Sequence, residues 1–128
     1  MKFLRFWKPV IIGLIILYGS LSTGDKLPGV HFFDFKHFDK LAHLTLYMVF
    51  TISLYHPILT QTNWTKYTKI FGTLLITIIY GLIMESSQYM FTDDRTPELL
   101  DTLANTLGSI IGIVIYPLLV KLKFDRYL

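Results

Sequence analysis

A chain of 128 residues that is 52% hydrophobic, with a mean hydropathy of +0.49, exceeds what a soluble core of this size can hide, because small domains bury only a modest fraction of their surface. A formal charge of +3, from 12 Lys and Arg against 9 Asp and Glu, is too small an excess to argue for nucleic acid, and the lack of cysteine excludes disulfides and thiolate chemistry. Lipid is the simpler solvent, and four spans of about 20 residues would use most of one single domain over residues 1–128.

The first apolar stretch covers residues 7–22, behind Lys2, Arg5 and Lys8. This pattern fits a retained membrane anchor, and with Ser20 and Ser22 it also fits a cleaved signal peptide; the later topology is the same either way. Gly24, Pro28, Gly29 and the run His31-Phe32-Phe33-Asp34-Phe35 predict a loop against the membrane surface, reaching to Phe38. A second span covers 39–59, with Pro57 near its end. The connector after it carries Trp64, Lys66, Tyr67 and Lys69, an interfacial mixture. The third span, 69–91, is unbroken by charge until Glu85. A polar turn with Asp93, Asp94, Arg95 and Pro97 leads into the fourth span, 99–120, and a tail with Lys121, Lys123 and Arg126.

The fold class is therefore an all-α integral membrane protein, a small bundle of about four transmembrane helices. With both termini inside, eight lysines and arginines lie on the cytoplasmic side. Only Lys26, Lys36, Lys40 and Arg95 lie outside, so the excess of basic residues favours N-in and C-in. The sequon Asn63-Trp64-Thr65 then falls inside and is read as chance.

The ionisable residues within the spans are not scattered. Asp39 and His43 share a face of the second helix, with Tyr47 rotated roughly 80° further. Glu85 and Gln88 are neighbours near the outer end of the third, and Asp101 and Asn105 near the outer start of the fourth. At about 1.5 Å rise per residue, His43 and Asn105 each lie roughly 6 Å below Asp39 and Asp101, and Glu85 roughly 9 Å below Phe91. Each intramembrane charge costs on the order of 2.5–3.5 kcal/mol, so a shared level on three helices points to a polar constellation.

Plainer roles stand beside this reading. Asp39 and Asp101 sit where carboxylates cap helix N-termini, and His43, Gln88 and Asn105 are residue types that hold membrane helices together. For Glu85 the partners available are Arg95, Lys40 and His43. Ala104, Gly108 and Gly112 form a small-residue row for close helix packing, within the bundle or between protomers. His31, His37 and His56 read as interfacial, and Met84 and Met90 as packing residues.

Asp39-Lys40-Leu41-Ala42-His43 with Tyr47, then Tyr80-Gly81 with Glu85 and Gln88, then Arg95, Asp101, Ala104-Asn105, Gly108 and Gly112, resemble in order and spacing the motifs of the VanZ-like family. The match spans about Asp39 to Gly112. The resemblance implies a four-helix, multi-pass protein of the bacterial cytoplasmic (inner) membrane. The family's namesake lowers susceptibility to the lipid-bearing glycopeptide teicoplanin. The acidic approach Thr92-Asp93-Asp94 to Arg95 departs from the Pro-Gly turn of the family pattern.

Three functions follow as expectations. The first is an outward-facing pocket that binds or senses an amphipathic or lipid-linked envelope molecule. Its ligand-binding set is Asp39, Lys40, His43, Tyr47, Glu85, Gln88, Arg95, Asp101 and Asn105, with Arg95 meeting a phosphate or carboxylate and Phe32 to Phe38 covering acyl chains. The second is an intramembrane enzyme, with His43, Glu85 and Asp39 as acid-base candidates. Ser86 and Ser87 adjoin Glu85, but no serine has a recognisable nucleophile setting. The third is a scaffold subunit associating with itself or another membrane protein through Gly108 and Gly112. No cofactor is specified and no metal is demanded, although mixed nitrogen and oxygen donors such as His43, Glu85, Asp39 and Asp101 suit Zn or Mn.

Overall fold

The structure, a computed structural model, describes residues 3–21, 38–91 and 99–128. The apolar runs form four α-helices: α1 (Trp7–Leu21), α2 (Phe38–Gln61), α3 (Lys66–Phe91) and α4 (Leu99–Lys121). Single 3-10 turns at Phe3–Phe6 and Phe124–Tyr127 flank them, and the described residues contain no strand. Lys40–Gln61, α3 and α4 are long and apolar enough to cross a membrane, while α1 is a shorter apolar helix. Its 15 residues rise about 22 Å, and the turn before it adds about 8 Å, which together match a hydrocarbon layer of about 30 Å.

Local chemistry sets the helix ends. Helix α3 starts at Lys66, earlier than the expected 69, because Thr65 is its N-cap: the Thr65 hydroxyl accepts the Thr68 backbone N–H at 3.3 Å. Helix α2 runs past Pro57 to Gln61. Its last carbonyls find partners beyond the helix, since Thr62 Oγ1 donates to the Ile58 carbonyl (2.7 Å) and Lys69 Nζ to that of Leu59 (2.9 Å). At the same end of the bundle, Lys8 Nζ donates to the Tyr127 carbonyl and ties the C-terminal turn to α1.

Burial is arranged for lipid. Large apolar side chains such as Phe71, Leu75, Ile79, Leu82, Val114 and Leu118 face outward, while Thr51, Thr73, Thr77 and Ser109 are fully buried. Most of these hydroxyls are satisfied within their own helix: Thr73 Oγ1 donates to the Lys69 carbonyl at 2.7 Å and Ser109 Oγ to that of Asn105 at 3.0 Å. Lipid tails are as apolar as leucine, so membrane helices associate through close packing and hydrogen bonds instead of apolar burial. Such an inverted distribution, together with the apolar helices, makes this a membrane protein.

Helix α2 is the hub, packing on α1, α3 and α4. Contacts pair its start with the start of α4 and its end with the end of α4, so the two run parallel: Lys40 meets Asp101, His43 meets Asn105, and His56 meets Tyr116. The approach is close because α4 presents glycine. A Cβ built on Gly108 would stand 2.2 Å from the Leu44 carbonyl oxygen, and one on Gly112 would stand 2.8 Å from that of Met48. The row Ala104, Gly108 and Gly112 thus packs within the chain, all three residues being buried. Helix α1 lies against α2 and α3, with Ile16 buried beside Tyr47, Phe50 and Met84. Its backbone is held by Tyr80, whose hydroxyl donates to the Gly13 carbonyl at 2.6 Å.

Candidate functional site

The parallel seam between α2 and α4 ends in a group of polar side chains at the end of the bundle marked by Asp101. Leu44 and Met48 set the depth of α4 through Gly108 and Gly112, and that registration brings Asn105 opposite His43 and Asp101 opposite Lys40. Helix α3, antiparallel to both, brings Glu85 and Gln88 to the same level, each about 5% exposed. The small Gly81 opens the space beside them: a Cβ there would meet the Tyr47 ring at 3.2 Å and Asn105 Cβ at 3.5 Å.

Asn105 links two of the helices to its own. A carboxylate only accepts hydrogen bonds, so the Asn105 amide nitrogen turns to Glu85 Oε1 and donates at 3.2 Å. Its oxygen then faces His43 and accepts from Nδ1 at 3.0 Å, which fixes the proton on that ring nitrogen. His43 Nδ1 and Glu85 Oε1 are themselves 4.0 Å apart. About one helical turn nearer the start of both helices, Lys40 Nζ stands 3.3 Å from Asp101 Oδ1, an ion pair across the α2 and α4 seam. Asp101 lies in the first turn of α4, where its charge also meets the positive end of the helix dipole.

Next to this network is a cavity of about 140 Å³, lined among others by Ser20, His43, Tyr47 and Gln88. Tyr47 is 1% exposed, and its hydroxyl has no hydrogen-bond partner among the described residues. Two larger apolar grooves flank α1. One, of about 360 Å³, runs between Val10, Gly13, Leu17, Phe50 and Tyr80, and the other, of about 420 Å³, lies by Trp7, Ile11, Val49 and Leu119.

Lys40, His43, Tyr47, Glu85, Gln88, Asp101 and Asn105 are thus brought to one end of the bundle. Asp39 is the second residue of α2, one turn before His43; its side chain is outside the described set. Arg95, His31, His37 and the aromatic segment 32–37 lie outside the described residues, as does the side chain of Phe38. Several readings of the sequence change. Lys40, one of the partners expected for Glu85, pairs with Asp101, while the amide of Asn105 bonds Glu85. His56, read as interfacial, packs within the bundle, its Nδ1 being 2.7 Å from the Tyr116 hydroxyl of α4. Met84 is core, but Met90, next to the end of α3, is exposed. Ser86 and Ser87 direct their hydroxyls to the carbonyls of Leu82 and Ile83 on their own helix.

A family model described as VanZ/LLP1 matches residues 5–120, nearly the whole chain. No curated protein and no solved structure matches it.

Proposed function

The chain belongs to the VanZ/LLP1 family, and from that premise we propose that it binds an amphipathic or lipid-linked envelope molecule at its polar cluster. In this reading it sits in the bacterial cytoplasmic membrane with both termini inside, so that the Asp101 end of the bundle faces outward. The observation that carries the reading is the network of His43, Asn105 and Glu85 with Lys40 and Asp101 beside it, polar side chains from three helices placed next to a cavity. Intramembrane ionisable residues are expensive, and they mark sites where polar ligands are handled. The cavity beside the polar cluster would take a headgroup, with Lys40 as one cation toward it, and the apolar grooves along α1 would take acyl chains.

Binding is favoured over the two other functions by particular residues. Ser86 and Ser87 are tied to their own helix, so neither hydroxyl is presented to His43 or Glu85 as a nucleophile. Gly108 and Gly112, the face a scaffold would have used, are buried against α2.

The test is protection. Wild type and Glu85→Gln are expressed at matched membrane levels in a glycopeptide-susceptible host. The inhibitory concentration of teicoplanin is then compared with that of vancomycin, which lacks the lipid tail. Selective protection against teicoplanin by wild type and not by Glu85→Gln is the expected outcome. Equal protection by both would remove the polar cluster from the function, and protection by neither would remove the drug phenotype from this chain.

A further inference from the structure

The same cluster has the composition of a metal site. One ligand atom each from His43, Glu85 and Asp101 lie within 4.8 Å of one another, and they come from α2, α3 and α4, so the arrangement exists only in the folded bundle. Two donors on a common ion, each at about 2.1 Å, stand up to about 4.2 Å apart, so closing on an ion needs side-chain shifts of under about 1 Å. Asn105 Oδ1, 3.0 Å from His43 Nδ1, is a third oxygen and a fourth donor at the same place once an ion displaces the ring proton that it accepts. An imidazole nitrogen with carboxylate and amide oxygens suits a borderline first-row cation; the hard ions Mg²⁺ and Ca²⁺ favour all-oxygen sets.

An independent observation points to a ligand here. The Tyr47 hydroxyl is buried without a hydrogen-bond partner among the described residues, its ring packs beside Gly81 and so close to Asn105, it is within electrostatic reach of Glu85, and it lines the same cavity as His43. A hydrated ion at the three donors would bring water to that phenol, and the cavity of about 140 Å³ has room for a few molecules at about 30 Å³ each. We propose that His43, Glu85 and Asp101 hold one divalent cation of the Zn²⁺ or Mn²⁺ class, with Tyr47 facing its water. Lys40, 3.3 Å from Asp101, then acts as the competitor that holds this carboxylate while no ion is bound.

The proposal shares its residues with the lipid reading but not its ligand. Titration of chelator-treated protein in lipid-free detergent tests the ion alone, and lipid retention by metal-free protein tests the other reading. Equilibrium dialysis of the full chain with Zn²⁺ and with Mn²⁺, read by elemental analysis, should give about one ion per chain for at least one of them. His43→Ala and Glu85→Gln should weaken binding at least about tenfold. His56→Ala, which removes an imidazole at the opposite end, should leave it unchanged. Lys40→Gln keeps all three donors and removes the competitor, so it should bind more tightly than wild type. This last variant decides the matter even where Glu85→Gln fails to fold. Less than about 0.1 ion per chain for both metals, equal affinity in His43→Ala, or no gain in Lys40→Gln would each overturn the site.

Discussion

Adding one methyl group at Gly108 should disrupt both the fold and the polar cluster. A Cβ at this position would lie 2.2 Å from the Leu44 carbonyl oxygen and 3.0 Å from its carbon, where ordinary contact begins at 3.4 Å. Both atoms are backbone, so no side chain can rotate away and the helices must separate by about 1 Å. Asn105 is one turn from Gly108 on α4. A shift of that size takes its 3.0 Å bond with His43, and the 3.3 Å pair of Lys40 with Asp101, out of hydrogen-bonding range. Overpacking costs about 1–3 kcal/mol, and each interhelical polar contact in a membrane protein averages about 0.6 kcal/mol, so Gly108→Ala should lose about 2–4 kcal/mol. Gly112→Ala, at 2.8 Å from the Met48 carbonyl, should lose less. Gly19→Ala, with nothing within 4 Å among the described residues, should be neutral or gain up to about 1 kcal/mol from helix propensity. Reversible unfolding in mixed detergent and SDS micelles, followed by circular dichroism, gives all three values. A Gly108→Ala protein as stable as wild type, or a Gly19→Ala protein as damaged as Gly108→Ala, would refute the reasoning.

Three further outcomes are expected. Thr51→Val removes a fully buried hydroxyl that has no hydrogen-bond partner among the described residues and keeps the shape of the side chain, so the same unfolding assay should show a gain of about 1 kcal/mol. Tyr80→Phe deletes the 2.6 Å bond to the Gly13 carbonyl, and should cost about 1 kcal/mol and speed hydrogen exchange in α1 while leaving the α2 and α4 seam protected. For the N-in topology, single cysteines at Thr62 and Thr92 in intact cells should be protected from and open to an impermeant thiol reagent, respectively; the reverse pattern would invert the protein.

The membrane helices were legible because hydropathy and length are cumulative signals over about 20 residues. The start of α3 was not, because it depends on one hydroxyl, Thr65, capping a turn that reads as polar connector. Depth arithmetic alone grouped His43, Glu85 and Asn105, since three helices of known rise put them at one level. Pairing within the group needed coordinates: Lys40 has a flexible stem, and only the registration of α4 by Gly108 brings Asp101 to it. A small-residue row has the same signature within a chain and between chains, so its burial against α2 was open until the structure placed Leu44 beneath Gly108. The anchoring of α1 by Tyr80 left no trace in sequence, because its acceptor is a backbone carbonyl that any residue would supply. Pro57 reads as lying near the end of the second span, and the structure carries α2 past it to Gln61.

The most direct test of the binding site is the lipid content of the purified protein. Wild type, Glu85→Gln and the distant Thr51→Val are extracted in the same mild detergent, checked for equal helical content, and their bound lipids identified by mass spectrometry. An amphipathic or lipid-linked molecule retained at about one per chain by wild type and Thr51→Val, and lost from Glu85→Gln, is the expected result. Identical lipids at identical levels on all three proteins would contradict a binding site built on Glu85, His43 and Asn105.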